Sequence, residues 1–189
     1  GQSFQCPISN EFRLPIGKAK VEKNGSDITI VAFSIMVGKA LEAANELEKN
    51  GINVEVINLR TLRPLDLESI INSVKKTNRL ITCEEGFGYS GIGAEISSLI
   101  QEQAFDWLDA PILRVHGKDV PMPYAENLEK LALPQTSDII NKAKQIHEEL
   151  HFDMTRVKFD GQSRNTIENF KEIEKLNLND SKTVLITSA

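Results

Sequence analysis

Short apolar segments alternate with segments of helical periodicity along most of this chain, and that alternation limits the fold more than any other feature. Residues 27–33 form a nearly continuous apolar run, which is typical of a strand buried on both faces. Residues 37–50 then place apolar side chains at helical spacing. The order repeats, with strands predicted at 52–59, 80–83 and 111–116 and helices at 67–76, 92–103, 124–131 and 136–150. The alternation predicts an α/β fold, a three-layer sandwich in which a mostly parallel sheet of about five strands has helices on both faces.

Helix boundaries are marked by capping residues. Asp66 is placed to cap the helix that follows it, with Leu65 and Ile70 as a hydrophobic staple. Thr136 or Ser137 is the predicted cap of the last helix of the alternating region. These positions fix where two of the predicted helices begin.

Composition excludes several functional classes. The 189 residues carry a net charge of −5 without a basic run, so a nucleic-acid partner is not expected. The chain lacks an apolar run of the roughly 18 residues that a membrane span needs, so no membrane span is predicted. Its two cysteines, Cys6 and Cys83, cannot build a disulfide framework, which fits a reducing compartment.

A glycine-rich segment offers the most tempting binding motif. Gly86, Gly88 and Gly91 satisfy G-x-G-x-x-G between a predicted strand and a predicted helix, as in dinucleotide sites. Glu84 and Glu85 directly precede these glycines, and their charge opposes an anion at the helix amino terminus. Dinucleotide binding is therefore the less favoured alternative. We expect the glycines to permit a tight turn and close packing of the helix on the sheet.

The two glutamates are also a poor catalytic pair. Adjacent residues of a strand point to opposite faces, so Glu84 and Glu85 are expected to make loop hydrogen bonds and to supply interface charge. Arg60 and Arg63 are predicted to pair with Glu84, with Glu85 or with a carboxylate of a partner protein. Cys83 lies in an apolar run and is expected to be a small buried side chain.

The sequence indicates no metal site. His147 and His151 are spaced i, i+4 and could share a metal ion if the last helix continues, but a third ligand is not evident. A solvated helix end is the favoured interpretation. No residue is assigned as catalytic, as cofactor-binding or as a metal ligand.

A stiff loop carries two large apolar side chains. Pro121 and Pro123 flank Met122 and precede Tyr124, and such adaptable apolar residues are enriched at protein interfaces. We expect Met122 and Tyr124 to face another subunit.

Several motifs in order resemble a known family. They are the segments 12–21, 56–66 (Val-Ile-Asn-Leu-Arg-Thr-Leu-Arg-Pro-Leu-Asp), 76–80, 84–86 (Glu-Glu-Gly), 108–111 (Leu-Asp-Ala-Pro) and 119–124 (Asp-Val-Pro-Met-Pro-Tyr). Together they resemble the C-terminal, transketolase-like domain of the beta subunit of the pyruvate dehydrogenase decarboxylating component, in its mitochondrial or alphaproteobacterial form. Branched-chain 2-oxo acid dehydrogenase is a close relative, and the segment Pro-Met-Pro-Tyr favours the pyruvate enzyme. The resemblance extends from about residue 1 to 148 and implies the transketolase C-terminal fold and location in the mitochondrial matrix.

The resemblance implies a role in association rather than chemistry. In that family an N-terminal domain and an alpha subunit hold thiamine diphosphate, whereas the C-terminal domain supports subunit contacts and helps dock the acetyltransferase core. This chain begins just past the N-terminal domain. We therefore expect it to bind no cofactor alone, and thiamine diphosphate with magnesium only when that domain and an alpha subunit are present. Expected partners are alpha, beta or acetyltransferase subunits, or an unidentified larger assembly.

The chain is divided into three parts. Residues 1–26 are predicted to be a linker, 27–150 the transketolase-like domain, and 151–189 a C-terminal extension. In the extension, Ile167, Phe170 and Ile173 form an apolar helical stripe, and residues 183–187 suggest a strand. The extension either packs on the domain, lies on a partner protein, or is a frayed tail. The stripe is a candidate interface.

Two functions remain open. The favoured one is a non-catalytic structural subunit of a larger mitochondrial assembly, with the extension as its anchor. The alternative is a fragment of an active thiamine-diphosphate-dependent beta subunit, which takes part in oxidative decarboxylation of pyruvate to acetyl-CoA.

Overall fold

A computed structural model describes residues 13–148 of the chain. Five strands are formed: β1 (Lys20–Lys23), β2 (Ile28–Ala32), β3 (Val54–Asn58), β4 (Leu80–Phe87) and β5 (Leu113–Gly117). Five helices are formed: α1 (Met36–Glu48), α2 (Leu67–Thr77), α3 (Ile92–Ala104), α4 (Glu126–Ala132) and α5 (Thr136–Glu148). A short 3₁₀ turn, Phe105–Trp107, follows α3.

The strands form one sheet in the order β1-β3-β2-β4-β5. β2, β3, β4 and β5 pair in parallel, and β1 joins the edge of β3 in the antiparallel direction. Ile30 of the central strand lies between Val56 and Ile81. The predicted fold class, a mostly parallel five-stranded α/β sheet with helices, is confirmed.

One strand was not predicted. β1 lies inside the segment 1–26, which the sequence presents as a linker, so the sheet begins before residue 27. Its sequence is Lys-Val-Glu-Lys, and Lys20 and Glu22 pair with each other. An edge strand needs few apolar residues because its side chains stay partly in contact with water, and all four side chains of β1 are exposed or half-buried. The hydrophobic pattern therefore gives no sign of it.

Helices cover both faces of the sheet. α1 and α5 pack on one face, where Met36, Leu47 and Ile139 join Ile30 of β2 in a continuous apolar core. α2 and α3 pack on the other face around Val31, Ile57, Ile70 and Ile96. All five residues of β2 are buried, as the continuous apolar run predicts for a central strand.

The predicted cap of α2 is formed. The Asp66 carboxylate accepts hydrogen bonds from the Ser69 backbone N–H and hydroxyl, and also from the Ala19 N–H at 2.9 Å. Burial acts to raise the pKa of Asp66, but these hydrogen bonds outweigh it and hold the pKa below its ordinary value. The predicted staple residues are also placed, since Ile70 is buried and Leu65 packs against the same core.

The predicted cap of α5 is wrong. Thr136 is already the first residue of the helix, so neither it nor Ser137 precedes the first turn. The Asp138 carboxylate instead accepts a hydrogen bond from the Gln135 N–H at 2.7 Å. The first turn of α5 is thus tied to the preceding residue by an acidic side chain within the helix.

A buried polar network between the sheet and α2 was also not predicted from the sequence. Glu55 of β3 is 2% exposed, and its carboxylate accepts hydrogen bonds from Ser73 and Lys76 of α2. Thr29 of β2 contacts Ser73 and Thr77 through hydroxyl groups at 2.6 Å. Polar groups of the sheet are thereby satisfied by α2, as buried polar groups require.

Cys83 of β4 is buried, as predicted, and burial raises the pKa of its thiol. Within residues 13–148, none of the helices combines the length and apolar character needed to cross a bilayer.

Candidate functional site

The polar and glycine-rich loops of the chain gather at the carboxyl ends of the parallel strands. β4 continues past the predicted end at residue 83, so that Glu84 and Glu85 still belong to the strand. Glu84 is 4% exposed, whereas Glu85 is half-buried. The two carboxylates therefore occupy different environments, which agrees with adjacent strand residues pointing to opposite faces.

The Glu84 carboxylate lies at the amino terminus of α3. Gly91 precedes the helix and has no side chain with which to cap it. The Gly93 backbone N–H donates a hydrogen bond to Glu84 Oε1 at 3.1 Å. Free N–H groups at a helix amino terminus attract anions, and here the anion is a side chain of the neighbouring strand. A diphosphate group at this helix end would meet a position that the protein already fills.

The two glycines at the start of α3 are explained by close packing on the sheet rather than by a nucleotide. A Cβ atom on Gly91 would lie 2.5 Å from Glu84 Oε2, and a Cβ atom on Gly93 would lie 2.6 Å from Thr82 Oγ1. Side chains at these positions would clash with the sheet. At Gly86, the first glycine of the motif, a Cβ atom would meet open space. The close packing that the sequence predicts is present at the helix.

Arg114 of β5 completes the arrangement. Its Nη2 lies 3.4 Å from Glu84 Oε1 and also donates to the Gly88 carbonyl oxygen. Glu84 and Arg114 together therefore connect β4, β5, the glycine-rich loop and the first turn of α3. Sequence reasoning missed Arg114 because its contact depends on the pairing of β4 with β5.

The predicted pairing of Arg60 or Arg63 with Glu84 or Glu85 is wrong within the described residues. Both arginines are exposed and follow β3, which is separated from β4 by β2. The Arg60 backbone N–H instead donates to the Asn58 side chain. Burial acts to raise the pKa of Glu22, but hydrogen bonds with Lys20 and Asn58 and the nearby charges of Lys20 and Arg60 hold it below its ordinary value. Pairing of the two arginines with a partner's carboxylate stays a prediction.

Large apolar side chains are exposed beside this site. Met122 is 56% exposed and Tyr124 fully exposed, in the loop between β5 and α4. Phe87 lies opposite Gly117 in the sheet, and the Lys118 N–H donates to the Ala132 carbonyl oxygen, so the loops after β4 and β5 and the end of α4 adjoin at these residues. The exposed apolar residues of this corner, called here the apolar corner, are Phe87, Tyr89, Val120, Met122, Tyr124, Leu128 and Leu131. That Met122 and Tyr124 face another subunit stays a prediction.

An open groove of about 400 Å³ lies between β5 and α5. Its charged lining is already engaged, since Asp138 accepts from the Gln135 N–H and Lys142 donates to Gln145. His116 Nδ1 lies 2.8 Å from the Gly117 carbonyl oxygen. The groove therefore does not assemble a nucleophile, a base and an oxyanion site of the kind that catalysis needs.

The remaining candidates are placed as follows. Over residues 13–148, no cluster of three or more His, Cys, Asp or Glu side chains is arranged to hold a metal ion. His147 lies in α5, whereas His151 is outside the described residues. The predicted interface stripe of Ile167, Phe170 and Ile173 and the predicted strand at 183–187 also lie outside them.

Comparison with protein families agrees with the fold. The family model described as transketolase, C-terminal domain, matches residues 17–139. A solved structure described as "split gene transketolase, inactive beta4 tetramer" superposes with a TM-score of 0.64 at 30% identity. The superposition covers 75% of this chain and 45% of that one.

Similarity to curated proteins is higher. The mitochondrial pyruvate dehydrogenase E1 component subunit beta of Dictyostelium discoideum is 62% identical over 136 residues, covering 72% of this chain and 38% of that protein. The corresponding Rhizobium meliloti subunit is 55% identical over 146 residues, covering 77% and 32%. The mitochondrial beta-1 subunit of Oryza sativa is 58% identical over 149 residues, covering 76% and 39%. This chain thus spans less than half the length of these relatives.

Proposed function

The chain belongs to the transketolase C-terminal domain family, and from that premise we propose that it acts in subunit association as a domain of the pyruvate dehydrogenase beta-subunit type. The observation that carries this proposal is the apolar corner beside a glycine-rich loop whose helix terminus is already filled by Glu84. Exposed apolar patches on soluble domains commonly mark protein interfaces. The protein thus exposes an apolar surface beside a helix terminus whose anion position is already occupied by Glu84.

On this proposal the chain has no activity alone. Thiamine diphosphate and magnesium would bind only when an N-terminal domain and an alpha subunit complete the site. The structural relative is described as an inactive tetramer of beta chains, which supports a chain that associates without catalysing a reaction. The proposed partners are alpha, beta or acetyltransferase subunits, or a larger assembly in which the chain is structural.

The location is proposed by the same similarity. Relatives from Dictyostelium discoideum and Oryza sativa are described as mitochondrial, and a close relative is bacterial. In a eukaryotic cell we place this chain in the mitochondrial matrix.

A second function is favoured by the high identity to complete beta subunits. Identity of 62% over 136 residues to a mitochondrial beta subunit supports a chain that serves as this domain of a working enzyme. In that case it is part of an active thiamine-diphosphate-dependent enzyme that converts pyruvate to acetyl-CoA within a complex. The intact mass of the natural polypeptide separates the two: a mass well above 21.1 kDa favours the enzyme, and a mass near it favours the structural subunit.

Titration with the cofactor tests whether this chain alone binds thiamine diphosphate. We expect calorimetric titration of this chain with thiamine diphosphate and Mg²⁺ to give no saturable heat. Micromolar affinity would contradict the proposal, because the site would then be complete within this chain.

Sedimentation measurements test association. The chain is mixed with an alpha subunit or a full-length beta subunit of pyruvate dehydrogenase, and Met122→Ser with Tyr124→Ser is expected to weaken the complex at least about tenfold. Phe105→Ser is the matched control, because Phe105 is 60% exposed, close to the 56% of Met122, but lies after α3. Equal effects of the two changes, or no complex with either subunit, would contradict the proposal.

A further inference from the structure

We propose that Glu84 acts as a built-in anionic ligand of the α3 amino terminus and thereby fixes the glycine-rich loop, residues 86–91. This inference uses the same Glu84 contact as the proposed function, but its test measures hydrogen exchange and not association, so the two proposals can fail separately. α3 is 13 residues long, and its N-cap residue, Gly91, provides no side-chain acceptor. The position of an external anion is taken by Glu84 Oε1, which accepts the Gly93 N–H.

A second polar group faces the same helix end. Thr82 is 2% exposed, and its Oγ1 is without a hydrogen-bond partner in the described part of the chain. That oxygen lies 2.6 Å from the place a Cβ atom on Gly93 would take, so it faces the same helix end. The hydroxyl is a donor that an anion can use. The hydroxyl is thus a further donor beside the helix end, in addition to the Gly93 N–H that Glu84 already accepts.

Arg114 supplies the countercharge and extends the effect to the loop. It lies 3.4 Å from Glu84 and donates to the Gly88 carbonyl oxygen, while Gly91 packs against the Glu84 carboxylate. The middle of the loop at Gly88 and its end at Gly91 are therefore held by the Arg114–Glu84 pair. Phe87 and Tyr89, which are 54% and 80% exposed, keep their positions through this internal ligand rather than through packing of their own rings.

Replacement by a free anion tests this inference. Glu84→Ala in the full chain removes a group with the atoms of acetate, so acetate should enter the vacated pocket. We expect amide hydrogen exchange at Gly93 to become about tenfold faster in Glu84→Ala and to be restored saturably by acetate. Acetamide, which is neutral and similar in size, should not restore it, and sodium chloride at equal ionic strength should not either.

Glu85→Ala is the matched control because Glu85 is adjacent, acidic and only half-buried. We expect acetate to leave the exchange rates of this variant and of the wild type unchanged. Restoration of Glu84→Ala by acetamide as well as by acetate would overturn the inference, as would an equal effect of acetate on Glu85→Ala.

A second variant decides the matter if Glu84→Ala does not fold. Glu84→Gln keeps the shape of the side chain and removes its charge. We expect exchange at Gly93 to accelerate in Glu84→Gln while exchange in α2 stays as in the wild type. Unchanged exchange at Gly93 would show that a neutral hydrogen-bond acceptor suffices, and the inference would be wrong.

Discussion

The amino termini of α2 and α3 are both capped by a buried carboxylate, but the carboxylates come from different places. Asp66 immediately precedes α2 and accepts the Ser69 N–H three residues later. Glu84 belongs to β4 and reaches the Gly93 N–H across a loop of glycines. A cap next to its helix is visible in the sequence, whereas a cap from another strand becomes visible only when the sheet is assembled.

The two caps also differ in what depends on them. Asp66 adds a hydrogen bond from the Ala19 N–H, so it ties α2 to the chain segment before β1. Glu84 lies against Gly91, Gly93 and Arg114, so it ties α3 to β4 and to the edge strand β5. Loss of the cap from another strand, Glu84, should therefore affect more of the fold than loss of the adjacent cap, Asp66. Four measurements test that expectation.

The largest effect is expected from Glu84→Ala. The change leaves the Gly93 N–H without its acceptor and the Arg114 guanidinium without its ion-pair partner, which should lower the free energy of unfolding by about 3 kcal/mol. Urea denaturation measures it, with Glu85→Ala as the control that should stay within about 0.5 kcal/mol of the wild type. A loss smaller than that of Asp66→Ala would reverse the comparison.

Gly93→Ala should be the next most damaging change. Its Cβ atom would lie 2.6 Å from Thr82 Oγ1 and 2.8 Å from Glu84 Oε1, so α3 must move away from the sheet. Overpacking of this kind costs about 2 kcal/mol, measured as a lower urea midpoint. Gly86→Ala is the control, because the added atom meets open space. Equal sensitivity at both glycines would mean that the loop, and not the carboxylate, sets the requirement.

Asp66→Ala should cost less, about 1.5 kcal/mol, because its main loss is a helix cap. Hydrogen exchange should show the loss at Ser69 and Ala19, which donate to this carboxylate, and not at Gly93. Asp66→Ser keeps a capping oxygen and should recover part of the stability. Faster exchange spread equally over α2 and α3 would mean that the two caps are not independent.

The smallest effect concerns pH. The folded pKa of Asp66 lies below its ordinary value of 3.8, so the unfolded chain binds a proton more readily than the folded one. Stability from this group is present above that value and is lost as the pH falls through the folded pKa. Glu22 and Asp27 are lowered as well, so Asp66→Asn should remove only part of the acid sensitivity between pH 5 and pH 3, roughly the range in which such carboxylates titrate. An unchanged acid profile in Asp66→Asn would contradict this assignment.

Features that depend on residues close together in the sequence were predictable. The apolar run of β2, the periodicity of α1 and the cap at Asp66 each depend on contacts within a few residues, and all three are formed.

Features that depend on sheet order were not predictable. The contact of Arg114 with Glu84 requires that β5 lies beside β4, and the distance of Arg60 from Glu84 requires that β2 lies between their strands. Hydrophobic periodicity identifies strands but does not order them. The charged strand β1 and the buried Glu55 are further cases in which polar residues take places that periodicity assigns to apolar ones.

The buried thiol of Cys83 can report how often the central sheet opens locally. Because its thiol is enclosed in the central sheet and resists ionisation, an alkylating reagent can react with it only while β4 is transiently released. In a chain with Cys6 replaced by serine, the labelling rate would count those opening events directly. The same labelling rate would reveal whether binding of a partner keeps the sheet closed, without introducing a new cysteine.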